Sequence, residues 1–541
     1  MTLIEKAEAW LRQDPDPNTR SELAAILEAN DLAQLASRFD SRLQFGTAGL
    51  RGELGAGPNR MNRIVVAQVA FAIAKFLKAN KSTYQDPTGD LSVVIGFDGR
   101  VNSDVFANDS AQIMSASGIK VSLFDSAVPT PVAAFTGRKA KASATIVVTA
   151  SHNPPRDNGY KVYLGGPNGG SQLISPQDAE IAALIDEIAA STKFEDIPKA
   201  TAIEIIGEPA LDAYVARAQQ LIPANNENRA ALKITYTAMH GVGHRIVKQL
   251  FDACGFEFDS VSRQQEPDGA FPTVAFPNPE EPGAMDLSFE HAKSHGSDVI
   301  IANDPDADRL AVGILHQGEY VMLTGDQVGL LLAEIKAVEG GTLANSIVSA
   351  SLAKVAKHHA MNYSQTLTGF KWISKVPQLT FGYEEALGYC VDPEFTPDKD
   401  GITAALLMAE LAANKKAEGV DLIDYLGELA QLYGHQATGQ ISIRVQDLTI
   451  IGKIMAGVRS NKPSKIAGEQ AQYEDLLAGK NLPATDGVIL ESDSYRVIIR
   501  PSGTEPKLKC YLQVTSDSAQ NAISKLNGLR DWASQLLASF Q

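Results

Sequence analysis

Thr149-Ala150-Ser151-His152-Asn153-Pro154 and Asp304-Pro305-Asp306-Ala307-Asp308-Arg309 lie far apart in the chain, yet they offer two halves of one chemistry. The Ser151 hydroxyl can carry a phosphoryl group, which brings a charge of about −1.5 to −2 and three acceptor oxygens. Asp304, Asp306 and Asp308 put three carboxylates at alternate positions, which point the same way in extended chain. Without a cation such carboxylates repel strongly, and an oxygen-only ligand set suits Mg²⁺. An EF-hand does not fit: Arg309 stands where its turn glycine should be and Leu315 where its bidentate glutamate should be. The G-x-S-x-G elbow of acyl hydrolases is absent around Ser151. A phosphoserine beside a divalent cation points to phosphoryl transfer through a phosphoenzyme.

Other segments supply what a phosphorylated substrate needs. Arg500-Pro501-Ser502-Gly503-Thr504-Glu505-Pro506-Lys507 offers a guanidinium, two hydroxyls and a glycine that lets backbone N–H groups approach an anion, and reads as a phosphate cradle. No G-x-x-x-x-G-K-[ST] occurs, which disfavours a P-loop nucleotide site. Tyr383-Glu384-Glu385-Ala386-Leu387-Gly388 presents acceptors for vicinal sugar hydroxyls. Thr368-Gly369-Phe370-Lys371-Trp372 adds a glycine hinge, a cation and an aromatic. Phe45-Gly46-Thr47-Ala48-Gly49-Leu50-Arg51-Gly52 is a flexible loop with one arginine, and Asp157 to Lys161 is a tight turn carrying a cation. Gly165 to Gly170 reads only as a hairpin turn. The nine histidines show no zinc-binding spacing.

Strand and helix signals alternate almost throughout, which predicts an α/β architecture. Strands are expected at 91–97, 120–124 and 144–149, the last delivering Ser151 at its C-terminal end, where open α/β sheets place ligands. The pattern recurs with strands at 232–237, 298–302 and 310–315 flanking the aspartate loop, then a helix at 326–338 and a strand at 346–349. The tail differs, with strands at 439–445 and 495–500 and a helix near 518–540. Domain boundaries are placed near 205, 318 and 437.

The formal charge of −16 argues against a nucleic-acid surface. An anionic substrate needs local basic residues set against that field. Cys254, Cys390 and Cys510 form no C-x-x-C or disulfide framework, which fits a reducing compartment. Met1 to Arg20 lacks a signal-peptide core, and Thr2-x-x-Glu5 resembles a helix capping box instead. No run of about 18 apolar residues is present. The expectation is a cytoplasmic protein with no membrane partner.

Taken together, the motifs at 45–52, 149–154, 304–309, 369–372, 384–385 and 500–506 resemble, in order, those of the α-D-phosphohexomutase superfamily. Asn158-Gly159-Tyr160-Lys161-Val162-Tyr163 and Gly369-Phe370-Lys371-Trp372 look most like the branch holding bacterial phosphoglucomutases and phosphopentomutases. The resemblance implies four domains around a central cleft: three related α/β units of mixed sheet and a C-terminal α+β unit with a TATA-binding-protein-like fold. It implies Ser151 as phosphoserine, and Mg²⁺ held by Asp304, Asp306, Asp308 and a phosphoserine oxygen. Gly369, Lys371, Glu384 and Glu385 would orient the sugar. Arg500, Ser502, Gly503 and Thr504 would grip the non-reacting phosphate, with Thr47 also on the substrate side. Arg51 and Arg309 would neutralise the reacting phosphate, and Lys161, or else His152, would move the proton. The implied reaction interconverts glucose 1-phosphate and glucose 6-phosphate through glucose 1,6-bisphosphate; a pentose or mannose phosphate is the alternative. A metal-dependent sugar phosphatase is more distant, because it needs no second phosphate cradle. One position departs from the pattern: Ala386 follows Glu384-Glu385 where the family commonly has serine, so a hydroxyl contact to the sugar is lost.

Overall fold

The computed structural model describes residues 1–46, 49–445, 447–502 and 507–540. Thr47, Gly503 and Thr504, expected on the substrate side, lie outside the described residues. The first sheet carries Ser92–Phe97 at its centre, parallel to Lys120–Phe124 and Ala144–Val148, with Glu204–Ile206 parallel at one edge. Asp157–Leu164 and Leu50–Glu53 close the other side as antiparallel strands. Alternate residues of one strand face opposite layers. Val93 and Ile95 join the core under Arg63–Ala79, whereas Val94 joins the core shared with Phe135 and Tyr214. That alternation sandwiches the sheet between helices, so both faces are dry and the ligand end is the strand termini.

The second sheet places Ile234–Thr237 parallel to Val299–Ala302, which pairs antiparallel with Ala311–His316. The aspartate loop is the link between a parallel and an antiparallel strand. Glu319–Met322, beyond the boundary read at 318, still pairs with Ala311–His316 and belongs to this sheet. The third sheet sets Thr342–Ser346 between Asn362–Thr366 and Leu379–Glu384, all parallel. Its central strand begins four residues before the expected 346. It is polar in sequence but buried, because Asn345 is satisfied: its Nδ2 donates to the Ser349 carbonyl and its Oδ1 accepts from Tyr363.

The fourth sheet is antiparallel throughout, in the order His435–Arg444, Lys507–Ser516, Tyr495–Pro501, Val488–Glu491, Gln472–Asp475. Val497 and Ile499 face helices Thr449–Asn461 and Ala519–Ala538, while Ile498 between them packs against Ile347 and Leu367 of the third unit. The period of two thus gives this unit its own core and one docking face. The Thr2–Glu5 capping box forms. All three cysteines are buried and unpaired. Among the described residues, no helix is long and apolar enough to cross a membrane.

Candidate active site

Ser151 follows the strand Ala144–Val148 and takes a left-handed conformation, φ 53°. Its N–H donates to Thr149 Oγ1 at 2.8 Å, which fixes the turn. Its hydroxyl donates to Asp304 Oδ2 at 2.8 Å and lies 3.1 Å from His152 Nδ1. The first and second sheets therefore bring their strand ends together at one oxygen.

Asp304, Asp306 and Asp308 are fully buried, and one carboxylate oxygen of each lies within 4.8 Å of the others. Ala307 at φ 55° turns the loop, and the Arg309 N–H donates to Asp304 Oδ1 at 3.0 Å. The loop is wedged from both sides. Gly241 packs so closely that a Cβ there would sit 2.3 Å from Pro305 Cα, and one on Gly401 would sit 2.1 Å from the Arg309 carbonyl oxygen. The third unit continues the contact: Leu310 N–H donates to the Leu387 carbonyl at 3.1 Å, and Gly401 N–H to that of Ala307 at 3.2 Å.

Cations and a hydroxyl hold the outer oxygens. Lys161 Nζ donates to Asp306 Oδ2 at 2.6 Å and Asp308 Oδ2 at 2.7 Å. Thr130 Oγ1 donates to Asp306 Oδ2 at 2.5 Å. Lys399 Nζ, from the third unit, lies 3.1 Å from Asp308 Oδ2. Asp306 Oδ1 and Asp308 Oδ1 are buried with no hydrogen-bond partner, the state of oxygens that a hard cation would satisfy. Burial, then Asp306 and Asp308, push the Asp304 carboxyl up to about 8. Burial also opposes ionisation of Asp308, but Lys161, Lys399 and Arg309 outweigh it and hold that carboxyl well below the usual range. Burial pulls Lys161 down, but Asp306 and Asp308 leave it raised, so its ammonium is kept. Burial, followed by Arg309 and Arg51, keeps His152 well below the ordinary histidine value and hence neutral.

Arg51 Nη1 donates to Asn153 Oδ1 at 3.5 Å, beside the serine loop, and Arg309 Nη1 lies 3.5 Å from Glu280 Oε2. On the other side, Gly369 N–H donates to Glu384 Oε1 at 2.6 Å, joining the two segments read as sugar-orienting. Burial, then Glu384 and Asp326, raise the Glu385 carboxyl to about 8. Burial lowers Lys371, with Asp178 opposing and Arg500 adding to it, so Lys371 shares its field with groups of the first and fourth units. Arg500 is half-buried near the end of the strand Tyr495–Pro501, and the hairpin closes through Ser502 N–H to the Lys507 carbonyl at 2.8 Å.

Thr130 and Lys399 escaped the sequence reading. Thr130 was legible only as a turn between prolines, and Lys399 only as one charge in Pro397-Asp398-Lys399-Asp400. The one available signal was that a lysine and aspartates precede the helix Gly401–Ala417, whose residues from Gly401 to Glu410 are all buried.

Comparison with known proteins accounts for most of the chain. The models of phosphoglucomutase/phosphomannomutase alpha/beta/alpha domains I, II and III match residues 42–192, 212–317 and 324–433, and that of the C-terminal domain matches 459–525. The chain is 45% identical to a probable phosphomannomutase of Haemophilus influenzae, over 85% of this chain and 94% of that one. It is 34% identical to the phosphoribomutase of Saccharomyces cerevisiae, over 95% and 93%. It is also 34% identical to a phosphoglucomutase of Staphylococcus epidermidis, over 90% and 94%.

Proposed function

The chain belongs to the phosphoglucomutase/phosphomannomutase family, whose members are phosphosugar mutases, and on that premise we propose that it interconverts glucose 1-phosphate and glucose 6-phosphate through phosphorylated Ser151 and glucose 1,6-bisphosphate. The observation that carries the proposal is the hydrogen bond from Ser151 to Asp304, inside a carboxylate cluster with two unpartnered buried oxygens. Asp304, Asp306 and Asp308 would hold Mg²⁺, which when bound supplies the positive charge that the transferring phosphoryl group needs.

In the forward half-reaction the free sugar hydroxyl attacks phosphorus and the P–Oγ bond to Ser151 breaks. The hydroxyl's proton must end on Ser151 Oγ; His152, neutral and with Nδ1 3.1 Å from that oxygen, would take up the hydroxyl's proton and pass one on to Oγ. Lys161, first in the sequence reading for that task, has its ammonium committed to Asp306 and Asp308 and acts here as a fixed cation. Arg51 and Arg309 receive the charge of the phosphoryl oxygens. The bisphosphate turns end for end, and its other phosphate returns to Ser151 by the reverse step. Glu384 and Glu385 accept from ring hydroxyls, while Arg500 and Ser502 hold the phosphate that is not reacting. That second cradle favours a mutase over a phosphatase.

The phosphoglucomutase relative supports glucose. A mannose or pentose phosphate is the second reading, favoured by the 45% identical probable phosphomannomutase and by the phosphoribomutase, and Ala386 removes a hydroxyl contact that would have argued for glucose. The test is an assay with Mg²⁺ and a trace of glucose 1,6-bisphosphate, comparing kcat/KM for glucose, mannose and ribose 1-phosphates. A preference for glucose 1-phosphate supports the proposal. Preference for another sugar moves the substrate and keeps the mechanism, and release of inorganic phosphate without isomerisation refutes it.

A further inference from the structure

We propose that Arg100 is a positioning residue for phosphoryl transfer: its guanidinium fixes the backbone that aims Ser151 Oγ at the aspartate loop, and so governs rate without touching substrate. This rests on the reading of Ser151 as the phosphoryl carrier.

Arg100 lies three residues beyond the strand Ser92–Phe97, the neighbour of the strand that delivers Ser151. It is almost wholly buried, 3% exposed. Nη2 donates to the carbonyls of Ser151 at 2.5 Å and Asn153 at 2.6 Å, and Nη1 to those of Pro154 at 2.9 Å and Asp157 at 3.0 Å. Three of the carbonyls belong to the turn that carries the hydroxyl and the fourth opens the strand Asp157–Leu164 that leaves it, so one planar fork sets four peptide orientations at once. The base of the side chain is itself held. Asp98 Oδ1 accepts from the Arg100 N–H at 3.0 Å and from Ser103 Oγ at 2.7 Å. On the far side the ring of Phe271, from the second unit, lies 4.9 Å from the guanidinium carbon. Arg100 is therefore clamped between the serine turn and the unit that bears the aspartates.

The reaction gives this arrangement its use. Ser151 gains and loses about two negative charges in every turnover, and both half-reactions need the same oxygen in the same place. A left-handed serine turn has no regular ladder to hold it against that change. A guanidinium bound to four carbonyls on the opposite side of the turn supplies the frame in both states, and an ammonium, lacking the fork, cannot reproduce it.

Arg100→Lys keeps the charge and loses the fork. We expect its kcat to fall by about tenfold to a hundredfold, as misplacement of a reacting group does, with KM for the preferred sugar phosphate within twofold of wild type. Phosphorylation of Ser151 by glucose 1,6-bisphosphate, followed by mass spectrometry, should slow in parallel. Asp98→Ala, which removes the acceptor of the Arg100 N–H and Ser103 Oγ and leaves the guanidinium, should lower kcat several-fold; it carries the test if Arg100→Lys does not fold. Wild-type kcat and phosphorylation rate in whichever of the two variants folds overturn the proposal, as does a rise in KM with kcat unchanged. Failure of the wild-type protein to take phosphate on Ser151 would instead sink the phosphoenzyme reading itself.

Discussion

The centre around Ser151 and the side of the molecule around Glu384 and Arg500 differ in how deeply their charged groups are buried. At the centre all three carboxylates are buried: Asp306 and Asp308 are tied to Thr130 and Lys161 of the first unit and Lys399 of the third, and Asp304 accepts from Ser151 Oγ. On the other side Glu384, Lys371 and Arg500 are only half-buried. Charge that develops in a transition state is stabilised best by groups fixed in a dry, low-dielectric site. Sugar hydroxyls can be met by side chains that adjust on binding. The contrast suits a family in which relatives named for mannose, ribose and glucose phosphates all match this chain along most of its length.

Substitutions can break or sharpen that contrast. Ser151→Ala should cost the most, at least about a thousandfold in kcat, as loss of a nucleophile does elsewhere; a variant with near-normal turnover would end the centre's claim to the chemistry. Asp306→Asn comes next, with about a hundredfold loss at fixed Mg²⁺ and a shift of the Mg²⁺ titration to higher concentration, and an unaltered titration would remove Asp306 from the ligand set. Arg500→Ala should act on the other side of the divide, raising KM by about tenfold or more, the worth of a charged hydrogen bond, with kcat far less affected. A fall in kcat alone would mean the two regions are not separable. Ala386→Ser should be gentler, changing the glucose-to-ribose ratio of kcat/KM by roughly threefold to tenfold, in the range one contact can discriminate; an identical ratio would take the position out of sugar choice.

The smallest effect concerns stability. Asp400 caps the helix Gly401–Ala417 by accepting from the N–H groups of Ile402 and Thr403, and burial pushes its carboxyl up to about 6. The folded chain thus holds this proton more tightly than the unfolded chain, whose carboxyl keeps the ordinary value of 3.8. Its contribution to stability therefore falls as pH rises from about 4 to about 6. Asp400→Asn should flatten the melting temperature across that window, and a slope equal to wild type would refute the assignment.

The serine turn and the aspartate loop were legible because their residue types are costly to place together without a purpose. The strands beside them were legible because both are continuous apolar runs. Thr130 was not, since its partner Asp306 is 176 positions away and nothing in Pro129-Thr130-Pro131 shows that separation closing. Arg100 was hidden in the same way, as a turn residue whose four acceptors lie 51 to 57 positions downstream. The strand Thr342–Ser346 was misplaced because polar side chains in a buried strand are paired through tertiary contacts that local pattern does not encode. What escaped was the supporting layer, and it escaped because support is a property of proximity in space.

The backbone at Ser151 also limits which hydroxyl could stand there. With φ at 53°, a side chain bearing one γ atom is accommodated, but a β-branched one is a genuine outlier. Threonine offers the same nucleophilic oxygen, but its methyl group would add backbone strain of about 1–3 kcal/mol before chemistry is considered. The shape of a turn thus weighs on the choice of nucleophile, and the interchange of serine with threonine that a surface position tolerates carries a cost at this one.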